Sequence, residues 1–271
     1  MARLDEIVRF LDAELRTADV PDAEPALNGL QLENSGTVER LAAAVDFSAE
    51  TVVAAIRERA SLLLVHHGMF WRGRQRLVGP AYERLKAAIG ADLAVYSSHI
   101  PLDVHPIFGN NVLLARELGL NADGTFGSYR GVDVGVTGKS DLPTRELIER
   151  VAAFSSQYQT AAVATPVATT RRTKRWAIIT GAGADADSLD EARDRGVDTL
   201  VVGEGPHHSA VQAIEGGIAV IYGGHYATET LGVRALAQHV SERFALESCG
   251  GVPKKTISPP FSPLPGPSSS R

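Results

Sequence analysis

Two adjacent histidines, His66 and His67, end the apolar run Leu62-Leu63-Leu64-Val65 and are followed at once by Gly68. Imidazoles at the mouth of a buried strand are suited to metal ligation; core packing is the alternative, since histidine is intermediate in its preference for burial. Downstream lie "SSHIPLDVHP" with His99, Asp103 and His105, "GEGPHHSA" with Glu204, His207 and His208, and "GGHYATET" with His225 and Glu229. Seven of the eight histidines therefore fall in four short segments, which scattered surface histidines would not do. His225 and Glu229 are four residues apart at the start of a predicted helix, so both side chains share one helical face. Asp103 follows His99 by four residues in a segment that Pro101 and Pro106 hold out of regular helix, where a rigid loop can fix a carboxylate.

Consecutive side chains of a strand point to opposite faces, so His66 and His67 could share one small ion only with difficulty. At the strand end they can splay toward two neighbouring ions. Three imidazoles and two carboxylates are few ligands for two separate sites, but suffice if one carboxylate bridges and water fills the remaining positions. This favours a dinuclear catalytic centre over a closed structural zinc site. The N/O donor set suits Zn, Fe, Mn, Co or Ni. A metal pair acidifies water and clamps a transition state, so hydrolysis of a phosphoester, amide or cyclic amidine-like bond is the natural reaction class. His99, Glu204, His207 and His208 are candidate acids, bases or partners that orient the ligands. Phe70 and Trp71 are placed to wall the pocket and stack on a planar substrate, or to pack the core.

These residues must be positioned by alternating strands and helices. Leu4, Ile7, Val8, Leu11 and Leu15 predict an amphipathic helix over 4–16. Strands are predicted at 40–46, 61–67, 92–99, 131–138, 175–181, 197–203 and 217–224. Helices are predicted at 49–60, 81–90, 110–119, 143–156, 185–195, 207–215 and 228–244. The alternation predicts an α/β protein with mixed, largely parallel sheets, and the continuous apolar strands predict cover on both faces. His66-His67, His99, Glu204 and His225 then follow four different strands, where open α/β sheets gather their ligands.

A formal net charge of −5 argues against a simple electrostatic nucleic-acid binder, and the cluster Arg171 to Arg175 reads as a solvated loop ahead of an apolar strand. "GAGADADS" reads as a tight strand–helix turn rather than a nucleotide loop. The single cysteine, Cys249, allows neither an internal disulfide nor a thiolate cluster and fits a reducing compartment. The acid-bearing N-terminal segment is not a secretory signal, and no stretch nears the roughly 18 apolar residues of a membrane span. A cytoplasmic protein is expected, with no membrane partner. Residues 253–271, rich in Pro and Ser, predict a disordered tail.

The segments "NGLQ", "VHHGMFWRG", "SSHIPLDVHPIFGNN", "GEGPHHSA" and "GGHYATETLGVRAL" resemble, in type and order, the Nif-three-like family of dinuclear-metal-centre hexameric proteins. Many members are labelled GTP cyclohydrolase I type 2 homologues. The resemblance covers about residues 28 to 240. It implies metal ligands at His66, His67, Asp103, His225 and Glu229, with Glu229 bridging two divalent ions. It implies two interlinked α/β domains: residues 1–125 with 215–250 binding the metals, and 126–214 inserted between them. It also implies a toroidal homohexamer whose metal sites face an interior cavity. Relatives often carry an aromatic residue where Ser98 precedes His99, so substrate choice is not carried over. The expectation is a metal-dependent hydrolase of a small nucleotide-like or phosphorylated molecule. The alternative is a metal-trafficking or regulatory adaptor ring, since no obvious nucleophile or phosphate loop is present.

Overall fold

The structure, a computed structural model, describes residues 1–248. Cys249 and the tail expected over 253–271 lie outside the described residues. The chain opens with β1 (Ala2–Arg3) and α1 (Leu4–Glu14), which buries Leu4, Ile7 and Leu11 on one face, as the spacing predicts. β2 (Gly29–Leu32) follows, then β3 (Thr37–Val38), which pairs with β1. Next come β4 (Arg40–Asp46), α2 (Ala49–Arg57), β5 (Leu62–His67), α3 (Pro80–Gly90) and β6 (Ala94–Ser97). These are two strand–helix–strand crossovers, and β4, β5 and β6 lie parallel.

After β6 the chain forms α4 (Ile100–Asp103) and α5 (Asn110–Glu117). The expected loop around Asp103 is thus corrected to one short helix. Pro101 sits in its first turn, where a missing N–H costs nothing. β7 (Gly124–Tyr129) and β8 (Val132–Pro143) form a hairpin, followed by α6 (Thr144–Ser156), β9 (Val163–Ala164) and β10 (Arg172–Ile179). α7 (Ala186–Asp194), β11 (Thr199–Val202), α8 (His207–Glu215) and β12 (Ala219–Tyr222) come next. The chain then gives α9 (His225–Thr228), α10 (Thr230–Phe244) and β13 (Glu247–Ser248).

Two mixed sheets result. One has the order β13-β4-β5-β6-β2, with β2 antiparallel at its edge. The other has the order β7-β8-β10-β11-β12-β9, with β10, β11 and β12 parallel and the outer pairings antiparallel. α1 and α10 pack on one face of the first sheet and α2 on the other. α5 and α6 cover one face of the second sheet, α7 and α8 the other. Burial on both faces is why β5 and β11 are apolar without alternation.

β12 belongs to the second sheet, so the chain returns to the first sheet only after Tyr222. Two expectations are corrected. The long final helix breaks at Glu229, which ends α9 and precedes α10. The basic cluster is no solvated loop: β10 begins at Arg172, Thr173 is fully buried, and Arg171 donates to the carbonyls of Asp198 and Gly217. Among the described residues no helix is long and apolar enough to cross a membrane.

Candidate metal centre

His66 and His67 occupy the last two positions of β5, which is buried along its whole length. The strand end brings the two rings close, with centroids 4.8 Å apart and planes tilted by 50°. His66 Nδ1 donates to the Ser98 carbonyl at 2.9 Å, because Ser98 follows β6, the parallel neighbour. His67 Nδ1 donates to Asp46 Oδ1 at 2.9 Å, because the β4–β5 register sets Asp46 opposite His67. His225, at the start of α9, gives Nδ1 to Glu204 Oε1 at 2.9 Å. Each of these acceptors is a carbonyl or carboxylate oxygen, which fixes the proton on Nδ1 and leaves the Nε2 lone pair free to bind a cation.

The free nitrogens converge on Glu229. His66 Nε2 lies 3.6 Å from its Oε1, His67 Nε2 lies 3.6 Å from its Oε2, and His225 Nε2 lies 3.1 Å from Oε1. Asp103 Oδ2 is 3.5 Å from His66 Nε2, while its Oδ1 accepts from Asn110 at 2.8 Å. His66 Nε2, His67 Nε2 and Glu229 Oε2 are buried without a hydrogen-bond partner. Each such orphan costs about 1–3 kcal/mol, so three at one point call for a group that satisfies them. Separations near 3.5 Å are long for hydrogen bonds, yet ligands about 2.1 Å from a tetrahedral ion stand ~3.4 Å apart. The donor set and its spacing therefore fit a divalent ion.

Electrostatics agree. Burial pushes the His66 imidazole down, but Asp103 and Glu229 outweigh it and raise its pKa to about 10. Burial likewise opposes His225, and Glu229 with Glu204 raises it to about 9. Burial works to raise Glu229, and His66 and His225 together hold it well below the usual carboxylate range. Burial dominates at Asp103 and raises it. The pocket thus stabilises positive charge against an ionised Glu229, the property a cation site needs.

Ligand atoms of His66, His67 and His99 lie within 4.8 Å of one another, as do those of His67, His225 and Glu229, and either group could hold a metal ion. His99 Nδ1 donates to Asp22 Oδ1 at 2.9 Å, so its Nε2 is free in the same way. Trp71 packs on His67 and His99 with ring centroids 4.8 and 4.6 Å away. Phe70 does not join it: it lines a neighbouring cavity. Glu204 orients His225. His207 and His208 stand exposed on α8, and the structure does not bring them into the cluster.

The centre opens into a cavity of about 340 Å³ between the two sheets. His67, Trp71, His99 and Asp103 line it from the first sheet's side; Gly127 to Tyr129 of β7, Thr180, Ala182, Gly183 and the start of α7 line it from the second's. The "GAGADADS" turn is this far wall. Gly181 has φ +66° and a Cβ there would overlap Glu229 Oε1, so only glycine lets the turn close over the carboxylate. Sequence reading missed Asp22, Asp46 and the β7 wall. A signal existed for Asp46 alone, as the acid ending the apolar strand 40–46.

The model of the Duf34/NIF3 (NGG1p interacting factor 3) family matches residues 2–251. A Deinococcus radiodurans protein named "GTP cyclohydrolase 1 type 2 homolog" is 40% identical over 244 residues, spanning 89% of this chain and 90% of that one. A Pyrococcus abyssi protein of the same name is 38% identical, spanning 90% and 95%. Among solved structures, ybgI, described as of unknown function, aligns with a TM-score of 0.82 at 30% identity over 92% of this chain and 97% of its own. A Thermus thermophilus structure aligns at 0.79 with 33% identity over 94% and 100%. The chain belongs to the Duf34/NIF3 family.

Proposed function

We propose that this protein is a dinuclear metal-dependent hydrolase of a small nucleotide-like or phosphorylated substrate. The observation that carries the reading is the set of three buried, unpartnered ligand atoms, His66 Nε2, His67 Nε2 and Glu229 Oε2, beside a substrate-sized cavity that His67 and Glu229 line. His66 and Asp103 would hold one ion, His67 and His225 the other, and Glu229 would be shared. Bound divalent ions supply Lewis acidity that acidifies water and polarises a carbonyl or phosphoryl oxygen. The chain's own residues orient and exclude. Asp46, Glu204 and the Ser98 carbonyl lock the imidazoles, Asn110 turns Asp103, and Trp71 shields one side from water. His99 has its Nδ1 proton held by Asp22 and its other nitrogen toward the cavity, where it can accept a proton from an attacking water and return it to a leaving group.

A second reading, a metal-handling or regulatory protein, is favoured by the far wall. Asp185 and Asp187 line it, and none of the described residues lining this cavity is a Lys or Arg to hold a phosphate. One experiment separates the two. Protein purified without chelators is analysed for metals, loaded with Zn, Mn or Fe(II), and assayed with GTP and a panel of phosphomonoesters. Two ions per chain with turnover lost in His99→Ala, metal content intact, supports the hydrolase. Metal that leaves for a chelator within seconds, with no turnover, supports metal handling. The homohexamer is part of the same proposal, and light scattering at six times the chain mass is its test.

A further inference from the structure

A second and larger cavity, of about 760 Å³, adjoins the metal centre. Its surface is mainly apolar, from Pro25, Leu27, Phe47, Met69, Leu77 and Leu85. Its cationic groups are Arg74 and Arg84, set against one carboxylate, Glu24. The volume is that of a small-molecule site.

These arginines lie in the loop before α3 and on α3 itself. Among the described residues Arg72, Arg74, Arg76 and Arg84 meet no acid. Arg84 lies over the Phe47 ring, 5.0 Å from its centroid, and its Nε is buried with no hydrogen-bond partner. Burial first, and then the like charge of Arg72, push its guanidinium below its ordinary value. Two cations and one carboxylate thus share an apolar surface, a net positive charge with no ion pair formed among the described residues. An anion with an apolar body satisfies both features, and neither a neutral apolar molecule nor a free inorganic ion does.

The two cavities share a wall. Ala23 and Trp71 line the metal cavity, while Glu24, Pro25 and Phe70, their chain neighbours, line this one. Gln31 fixes the wall: its Oε1 accepts from Met69 N, and its Nε2 donates to the carbonyls of Ala26 and Leu27. Gly68 makes room for it, since a Cβ there would overlap the Gln31 side chain.

We propose that this cavity binds the non-reacting part of the substrate, an apolar and preferably planar body bearing an anionic group that Arg74 and Arg84 hold. The cations missing beside the metals are thus supplied from next door. That this ligand's other end reaches the metals rests on the hydrolase reading; the binding of an organic anion does not.

The test uses a fluorescent pair of one ring system, 1-anilinonaphthalene-8-sulfonate and its uncharged counterpart N-phenyl-1-naphthylamine, on the full chain. The sulfonate is expected to bind one per chain and to lose about tenfold or more in affinity in the Arg74→Gln/Arg84→Gln variant. The neutral dye is expected to change less than twofold. Equal affinities for both dyes, no loss in the variant, or exclusion of the dye as chains associate over the cavity would overturn the proposal. Should the variant not fold, displacement of the sulfonate from the parent decides. 1-Naphthyl phosphate must displace it at least tenfold better than 1-naphthol, and equal displacement overturns it. Metal content is measured in the same samples, so a failed metal centre and a failed anion pocket give different results.

Discussion

The chain builds two clusters from the same three side chains, two histidines and a glutamate. His66, His67 and Glu229 meet beside the cavity between the sheets, and His105, His239 and Glu14 meet between α1, α10 and the turn after α4. In the first, both Nδ1 atoms donate to oxygen, so both Nε2 lone pairs face the glutamate. In the second, His105 Nδ1 accepts the backbone N–H groups of Ile107 and Phe108 at 3.2 and 3.0 Å. Its proton is thereby placed on Nε2, 3.6 Å from Glu14, and its ring stacks on Phe108 with centroids 4.7 Å apart. A neutral imidazole has one lone pair, and His105 has given its own to the backbone. Ligand competence in a histidine is thus set by the atom on its far nitrogen, not by the residue or by a nearby acid.

Metal content separates the two clusters most decisively. Glu229→Gln keeps the shape and removes the charge that faces three imidazoles, and retained metal is expected to fall to background in elemental analysis. Glu14→Gln makes the same change in the other cluster and is expected to leave metal content as in the parent. Equal metal in both variants would show that the wiring of Nδ1 does not choose between the clusters.

Removing the wiring alone sharpens the point. Asp46→Ala leaves His67 in place but frees its ring, and metal affinity is expected to drop ~10- to 100-fold, measured by competition with a chromogenic chelator. Glu204→Ala is expected to cost less, because that carboxylate stands in solvent and His225 is itself partly exposed.

How much of this was legible in the residues follows from what each piece depends on. Four of the five expected ligands sit at a strand end or a helix start, which local pattern reveals; Asp103 ends the short helix α4, which local pattern does not show. The orienting atoms depend on register: Asp46 meets His67 only because β4 and β5 pair one way, and a one-residue slip would turn it to the other face. Asp22, in a loop 77 positions from His99, carries no pattern at all. The hairpin β7–β8 was half seen, since Gly124–Tyr129 lacks the alternation that marks Val132 to Gly138. That β12 joins the second sheet depends likewise on pairing, not on composition. His207 and His208 lie outside the cluster, and their sequence does not show it, because an adjacent pair looks alike at a strand end and on an exposed helix.

A smaller effect is expected in the second cluster. His105→Phe keeps a ring to stack on Phe108 but leaves two backbone donors without an acceptor, at a cost of about 1–3 kcal/mol in urea unfolding, with metal content unchanged. His105→Asn, whose side-chain oxygen can accept the same N–H groups, is expected to recover most of it. No recovery would place the loss in ring packing instead.

The smallest effect is in pH, where the two clusters have opposite signs. Burial lowers the His105 pKa in the folded protein, with Glu14 working against it. Its contribution is therefore fully present above the unfolded value near 6.5 and is lost as pH falls through the folded value. His66, raised to about 10 in the metal-free protein, contributes fully below about 6.5 and loses that contribution as pH rises through about 10. Metal reverses the second slope but not the first, because ligation requires the imidazole to give up its proton. The gap in Tm between metal-loaded and metal-stripped protein should thus widen steadily from pH 6.5 to 9. The acid-side fall below pH 6.5 should be shallower in His105→Asn than in the parent, whether metal is bound or not. A gap that narrows toward pH 9 would mean that the metal does not compete with protons for His66 and His225, and would remove the imidazoles from the ligand set.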